Sequence, residues 1–311
     1  MPVQAVFGLP KIRKSGSREL VTGLIMIMPF LILAGLFFFA PLVEGIIIST
    51  YKIGLPEDKF IGFDNYSRML KDRNFHKTLI NSIVFGLYTI AGVWLSLFLA
   101  VYLGSRIVSS GSRFKRIVQS CVALPFLTSW VVLGLAWNWV MVVGAGAEFA
   151  GLSLTGKVSV TGGSVSPLAD PNLSLHTCGL IFIWAGLGYN ALILLAGINS
   201  IPKDLYEAAQ IDGADSTATF RYITVPLLRP ILTFLTISAF IWPFQQGAFE
   251  AVAALTYGGS GWAASNTVFY MARQAIMGLD FGYASAIGIT TALIVLTISF
   301  IQYRLLYGRL A

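Results

Sequence analysis

The chain has 311 residues, of which 56% are hydrophobic and 11% are charged, and its mean hydropathy is +0.76. Soluble globular proteins carry about 25% charged residues, so this composition excludes an ordinary soluble domain and indicates an integral membrane protein. The formal net charge of +7 comes from basic residues scattered beside apolar runs, which favours contact with anionic lipid headgroups over binding of nucleic acid.

Six apolar runs predict six membrane-spanning helices, since each approaches or exceeds the roughly 20 residues that cross the hydrocarbon core. A backbone in lipid must satisfy its own hydrogen bonds, and the runs lack the strict alternation of a barrel strand. The predicted fold is therefore all-α, with a basic cytoplasmic tail at 1–19 and a single transmembrane domain at 20–311. The predicted spans cover about residues 20–50, 78–104, 117–144, 175–199, 226–247 and 281–306.

The basic tail precedes the first run as the n-region of a secretory signal would. That run is longer than the h-region of about 7–15 residues in a signal, so it predicts an uncleaved helix. With both termini in the cytoplasm, most Lys and Arg residues lie on the inner side, as the positive-inside rule requires. Residues 62–82 then predict a short helix of mixed polarity along the outer interface.

Two further outer segments have distinct patterns. Residues 144–172 are rich in Gly, Ser and Pro and alternate near Val158 to Val165, which predicts a small hairpin in a lid or docking loop. Residues 252–280 contain a Gly-rich turn and then an apolar stripe, which predicts a helix packed across the bundle.

The two cysteines and two histidines lack the spacing of a metal site or a disulfide framework. No metal site and no catalytic residue are predicted.

The segment from Ile201 to Pro230 concentrates seven charged residues between two apolar runs. Pro202 suits the first turn of a helix, and Leu205, Ala208 and Ala209 then fall at spacings of three and four. This spacing predicts one small, flat face that another protein can approach closely.

The rest of this segment predicts a sharp turn. Glu207 lies beside the small face, near the positive end of the helix, where a carboxylate is favoured. Gly213 allows the helix to end in a left-handed conformation. Asp215 can cap a second short helix, and Pro226 is predicted to end it and begin the next span. Two helices are therefore expected to meet at an angle on the cytoplasmic face.

The same residues resemble a known signature. Glu207-Ala208-Ala209, three residues, Gly213, nine residues, Ile223, one residue and then Val225-Pro226 resemble the EAA motif of permease subunits in bacterial ABC importers, with Val225 where Leu is usual. The sequences GFDNY at 62–66 and LTYGG at 255–259 are similar to the carbohydrate-importer branch of that family. The resemblance covers nearly the whole chain.

This resemblance implies the fold of type I importer permeases, with residues 201–226 as the loop that carries a cytoplasmic coupling helix. It implies a multi-pass, non-catalytic subunit of the bacterial inner membrane that forms a heterodimer with a second permease subunit. It also implies an extracytoplasmic solute-binding protein and two ATP-binding cassette subunits, which bind ATP and Mg; this chain has no phosphate-binding loop ending in Lys-Ser or Lys-Thr. The implied ATPase-coupling residues are Glu207, Ala208, Ala209, Asp212, Gly213, Ile223 and Pro226.

A substrate path through the membrane should be marked by aromatic, amide and hydroxyl groups, since polar side chains inside a bilayer are costly. Each candidate also has an ordinary alternative, because Trp and Tyr form interfacial belts, glycines lie at helix crossings and amides join helices. No Lys or Arg lies in the interior of the fourth or fifth run, which disfavours a strongly anionic substrate. The candidates are Trp184, Gly186, Tyr189, Asn190, Trp242, Gln245, Gln246 and Asn138.

The predicted function is a carbohydrate path coupled to cytoplasmic ATPase subunits. An ion-coupled secondary transporter is one alternative, but it should carry ionisable residues at mid-membrane depth, whereas Glu44 and Glu250 lie near the ends of spans. A second alternative is an ABC permease that transports a polar solute other than a sugar. A membrane-embedded enzyme would need a catalytic set such as paired His or Asp inside the bundle, and the runs contain none.

Overall fold

The computed structural model describes residues 17–54, 57–104, 113–142, 158–160 and 163–307, and most of these residues are helical. Most of the predicted basic tail at 1–19 lies outside the described residues, as does much of the predicted loop at 144–172. The helices are α1 (Ser17–Ala34), α2 (Ala40–Ile48), α3 (Asp64–Lys71), α4 (Arg73–Gly104), α5 (Arg113–Leu127), α6 (Trp130–Val142), α7 (Ser174–Ser200), α8 (Lys203–Ile211), α9 (Ser216–Thr219), α10 (Val225–Ile241), α11 (Gln246–Leu255), α12 (Thr267–Ile276) and α13 (Phe281–Tyr307).

Two short ladders accompany the helices. Strand β1 (Tyr51–Lys52) pairs antiparallel with β2 (Lys59–Phe60). Strand β3 (Val158–Val160) pairs antiparallel with β4 (Gly163–Val165), with Val158 opposite Val165, which is the hairpin predicted from the alternation there. The helices α3 and α12 likewise occupy the two segments in which short helices were predicted.

Five helical stretches in the described ranges are long and apolar enough to cross a membrane, and the count reaches six if one bent pair is taken as a single span. The all-α fold predicted from the sequence is therefore confirmed. The first stretch joins α1 to α2 through five residues of π-helix. The five stretches are Val21–Ile48, Arg73–Tyr102, Ser174–Ser200, Ser216–Phe244 and Phe281–Leu306.

The third predicted span, 117–144, is not one continuous helix. It consists of α5 and α6, whose axes differ by 106°. Pro125 cannot donate a backbone hydrogen bond, and the last turn of α5 tightens so that the Thr128 amide bonds to the Pro125 carbonyl at 3.3 Å. A new helix begins where the Leu133 amide bonds to the Ser129 carbonyl at 2.9 Å. The predicted span at 117–144 is therefore a bent pair of helices rather than one straight helix.

The fifth predicted span, 226–247, differs at both ends. Helix α9 does not end at Pro226; it continues through a π-helix at Phe220–Thr224 into α10. Pro226 instead lies in the first turn of α10, where a missing donor is tolerated. At the other end α10 stops at Ile241, a 3₁₀ turn follows at Trp242–Phe244, and α11 begins after an extended Gln245.

The long helices α4 and α7 run parallel and in close contact. The hydroxyl of Ser96 on α4 donates to the carbonyl of Leu187 on α7 at 3.2 Å. On the neighbouring surface of α7, Gly188 lets α5 approach so closely that a Cβ there would lie 2.0 Å from the Val122 carbonyl oxygen. These contacts hold the broken third span against the bundle.

Two apolar clusters fill the bundle at different heights. One, the α12-end cluster, includes Phe85, Phe182, Val252, Leu255 and Phe269. The other, the α8-end cluster, lies toward the opposite end, where α7 stops and α10 begins, and it contains Val93, Leu97, Leu194, Leu228 and Leu235. Because lipid tails are as apolar as these side chains, the clusters hold the helices together through van der Waals packing.

A polar network fastens α3 to the α12 end of the bundle. The hydroxyls of Tyr270 and Tyr283 both donate to Oδ2 of Asp72 at 2.5 Å, and Arg68 forms an ion pair with Asp280 at 2.5 Å. Burial alone would raise the pKa of Asp72, but the two tyrosine donors hold that pKa below its ordinary value. Burial and the nearby Asp72 carboxylate together raise the pKa of the Tyr270 hydroxyl.

Candidate functional site

Helix α8 is attached to the start of α10 by one of its faces. Ala209 is only 8% exposed, and Tyr206 is half-buried against the α8-end cluster. The Tyr206 hydroxyl lies 3.2 Å from Oγ1 of Thr224, one residue before α10 begins. Contacts of this kind allow a displacement of α8 to be passed to α10.

The rest of the α8 surface is open. Ile211 is 87% exposed and Leu205 is 43% exposed, and Ala208 and Glu207 are exposed as well. Exposed aliphatic side chains on a short helix outside the membrane spans are typical of a docking surface. The sequence placed Ala208 and Ala209 on one face, but the structure separates them, because Ala209 turns inward and packs within its own chain.

The end of α8 follows the prediction closely. Gly213 has φ +77, its amide donates to the Gln210 carbonyl at 3.2 Å, and the Ala214 amide donates to the Ala209 carbonyl at 2.9 Å. These two bonds form a Schellman motif. Oδ1 of Asp215 accepts the Ala218 amide at 2.6 Å and caps α9, as predicted.

The other predicted coupling residues lie along the same connection. Asp212 is exposed at the end of α8, whereas Ile223 and Pro226 are half-buried in the π-helix and in the first turn of α10. Glu207, Ala208, Asp212 and Gly213 therefore lie at the exposed turn.

A cavity of about 320 Å³ lies at the middle of the bundle, between α4, α7, α10 and the break that separates α5 from α6. Its polar groups include the amides of Asn190 and Gln245 and the hydroxyls of Ser238 and Thr89, and the described residues that line it carry no charge. The Thr89 hydroxyl donates to the Ala239 carbonyl at 2.7 Å. Five of the predicted path residues line this cavity: Gly186, Tyr189, Asn190, Trp242 and Gln245.

Two aromatic pairs face the cavity. The rings of Phe126 and Tyr189 are stacked with centroids 4.7 Å apart. The rings of Trp130 and Trp242 are also 4.7 Å apart, and Phe182 meets Trp242 edge-on at 4.9 Å. Phe126 and Trp130 were not predicted from the sequence, because an unbroken third span gives no reason to choose them. Pro125 was the available signal, since a proline inside a helix marks a break.

Three predicted path residues lie outside the cavity. The Asn138 amide donates to the Leu255 carbonyl at 2.7 Å and so joins α6 to the end of α11. Trp184 packs edge-on against Trp137 at 5.4 Å. Gln246 is exposed at the start of α11, and its Nε2 donates to Oε1 of Glu250 at 3.3 Å.

Within the described parts of the chain, no group of three or more His, Cys, Asp or Glu side chains is arranged to hold a metal ion. The arrangement consists instead of a neutral, aromatic cavity and a short helix exposed at one end of the bundle.

Comparisons with known proteins agree on one family. Residues 92–309 match the family model described as binding-protein-dependent transport system inner membrane component. The arabinooligosaccharides transport system permease protein AraP of Bacillus subtilis (strain 168) is 29% identical over 279 residues, which are 89% of this chain and 86% of that protein. The sn-glycerol-3-phosphate transport system permease protein UgpA of Yersinia pestis bv. Antiqua (strain Antiqua) is 27% identical over 285 residues, 90% of this chain and 92% of that protein.

The fold also matches a solved structure. A chain of a bacterial alginate ABC transporter, crystallised in complex with its alginate pentasaccharide-bound periplasmic protein, matches with a TM-score of 0.76. The two sequences are 22% identical, and the match covers 94% of this chain and 95% of that one.

Proposed function

The chain belongs to the family of binding-protein-dependent transport system inner membrane components, and we propose that it forms part of the path of a carbohydrate importer and couples that path to ATP hydrolysis. As a permease subunit it is a non-catalytic membrane component. The relatives described above favour this function over an ion-coupled secondary transporter.

The observation that carries the proposal is the 320 Å³ cavity. Ligand pockets measure about 300–1,000 Å³ and combine apolar walls with a few polar groups that fix orientation. The two aromatic pairs offer flat faces to the C–H surfaces of a sugar ring. The amides of Asn190 and Gln245 can donate to and accept from its hydroxyls. A neutral saccharide fits this lining better than an ion does.

The second element is the connection from α8 to the cavity. We place the exposed face of α8 in contact with a cytoplasmic ATP-binding cassette subunit, with Glu207, Ala208, Asp212 and Gly213 at the contact. Two such subunits bind the ATP and Mg²⁺. Ala209, Ile223 and Pro226 hold the coupling loop to the bundle rather than touching the partner.

Helix α10 then carries the displacement to the cavity. It runs from beside Thr224 to Trp242, a distance of about 27 Å at 1.5 Å per residue. Leu235 and Ser238 on this helix, and Trp242 in the turn that follows it, line the cavity. ATP binding can favour one conformation of the path only if α8 makes different contacts with the ATPase in the two states. The contact between Tyr206 and Thr224 then passes that difference from α8 to α10.

In this assignment the chain is a multi-pass protein of the bacterial inner membrane, with α8 and both termini in the cytoplasm. The opposite end of the bundle, with α3 and α12, faces outward and receives the loaded solute-binding protein. A second permease subunit completes the path. The similarity to UgpA keeps a polar solute other than a sugar as an alternative, although the uncharged lining argues against a phosphate.

The test is to copurify the tagged chain with its partner subunits, reconstitute the complex in proteoliposomes with the binding protein, and measure ATP hydrolysis and uptake against a panel of neutral saccharides. One saccharide should stimulate both activities. Stimulation by a phosphorylated or amino-acid solute alone would replace the carbohydrate assignment. Purification without any ATPase subunit would refute the coupling role.

A further inference from the structure

Helix α11 has a polar surface at a depth where charge is costly. Its opposite face is fully buried: Ala248, Ala251, Val252 and Leu255 are each at most 1% exposed. Three of them, Ala251, Val252 and Leu255, share the α12-end cluster with Phe182, which lies about 12 Å along α7 from its start at 1.5 Å per residue. Helix α11 therefore lies beside the spanning helices rather than beyond their ends.

On the exposed side of α11 lie Gln246 and, one turn later, Glu250. Glu250 is half-buried, and its carboxylate accepts a hydrogen bond from Gln246 at 3.3 Å. No cationic side chain in the described ranges forms an ion pair with it. A carboxyl group at membrane depth that has only an amide partner must face a water-filled path or another subunit, because lipid cannot solvate it.

The start of α11 is continuous with the cavity. Gln245 lines the cavity directly. A Cβ at Gly247 would lie 3.4 Å from Cδ1 of Trp130 and 3.6 Å from Nε1 of Trp242. The first turn of α11 therefore forms part of the cavity rim, and Glu250 follows it by one turn in the direction of the α12 end.

We propose that Glu250, held by Gln246, is a specificity-determining residue that lets neutral saccharides enter the cavity and disfavours saccharides that carry a carboxylate. This inference rests on the proposed function, in which the α12 end is the outer mouth of the path. A carboxylate accepts hydrogen bonds from sugar hydroxyls, and charge-assisted bonds of this kind are short and strong. The same group repels an incoming carboxylate, so selectivity arises from a repulsive element as well as an attractive one.

The test compares two probes with the same open-chain end that differ by one charged group: the neutral alditol of an oligosaccharide that the importer transports, and the aldonate of the same oligosaccharide. Uptake is measured in proteoliposomes that hold the complete complex, with binding protein saturated by each probe so that delivery is not limiting. We expect the wild-type complex to transport the aldonate at least about tenfold more slowly than the neutral probe, the factor that corresponds to 1.4 kcal/mol.

Three variants separate the charge from other effects. Glu250→Gln should raise the ratio of aldonate to neutral uptake about tenfold, the same 1.4 kcal/mol, and should lower neutral uptake as well, because Gln forms no charge-assisted bond with a sugar hydroxyl. Glu250→Asp keeps the charge and should keep most of the discrimination. Glu44→Gln removes an exposed carboxylate from α2, away from the cavity, and should leave the ratio unchanged.

An unchanged ratio in Glu250→Gln would overturn the proposal. So would loss of the second permease subunit on copurification of that variant, because the carboxylate would then serve an intersubunit ion pair. A wild-type complex that transports no neutral saccharide would instead refute the proposed function, and this inference with it.

Discussion

Replacement of Gly213 tests whether the shape of the turn after α8 is needed for coupling. Gly213 has φ +77, and no atom lies within 4 Å of the position that a Cβ would occupy. A substitution therefore meets no clash, and its effect is confined to backbone conformation. A left-handed conformation costs an ordinary residue about 1–2 kcal/mol, and a β-branched residue is especially unfavourable there. A shift of that size changes a population by a factor of about 5–30.

Gly213→Val should therefore lower sugar uptake at least about fivefold, because α8 can no longer end in the conformation that its partner recognises. Gly213→Asn is the matched control, since Asn adopts the left-handed conformation more readily, and it should retain most uptake. Membrane insertion of both variants is checked by their amount in washed membranes. Full uptake by Gly213→Val, at normal expression, would refute the idea that this turn positions a docking surface.

Three other changes follow from the structure. Tyr206→Phe removes the hydroxyl beside Thr224, a contact worth about 1 kcal/mol, and should reduce uptake per ATP hydrolysed while leaving sugar binding to the purified complex unchanged. Trp242→Ala removes the ring that packs against Trp130 and Phe182 and should weaken sugar affinity about tenfold or more in a binding titration, whereas Trp184→Ala, outside the cavity, should have little effect. Asp72→Asn should lower the thermal midpoint of the purified chain by about 2–4 °C. Two O–H donors lower the pKa of Asp72, so its contribution to stability is fully present above its unfolded pKa of about 3.9. That contribution is lost as the pH falls through the lower folded-state pKa. A difference in thermal midpoint between wild type and variant that persists unchanged into that acid range would contradict this role of Asp72.

The end of α8 could be predicted because helix caps obey local rules. Gly213 and Asp215 form bonds to backbone groups three or four residues away, so their roles can be predicted from the adjacent sequence. The inward orientation of Ala209 could not be predicted from the adjacent sequence. It depends on which side of α8 meets α10, and that side is fixed by Tyr206 and Thr224, which are 18 residues apart in the chain.

The residues that line the cavity show more clearly what the local sequence cannot predict. Gly186, Tyr189 and Asn190 could be chosen because they are polar or small residues in one apolar helix. Phe126 and Trp130 could not, because apolar aromatic residues in an apolar run carry no local signal. Their position depends on the 106° bend between α5 and α6, which hydropathy does not detect.

The interruptions in the third and fifth spans occur where protein can satisfy the exposed backbone. Breaking a helix in lipid leaves carbonyl and amide groups without partners, which is tolerated only where protein or a water-filled cavity covers them. The Pro243 carbonyl, at the break after α10, accepts the amide of Asn266 at 3.1 Å. The break after α5 brings Trp130 against Trp242, beside that same turn. The two interruptions therefore support each other, and a change in either one must move the wall of the cavity.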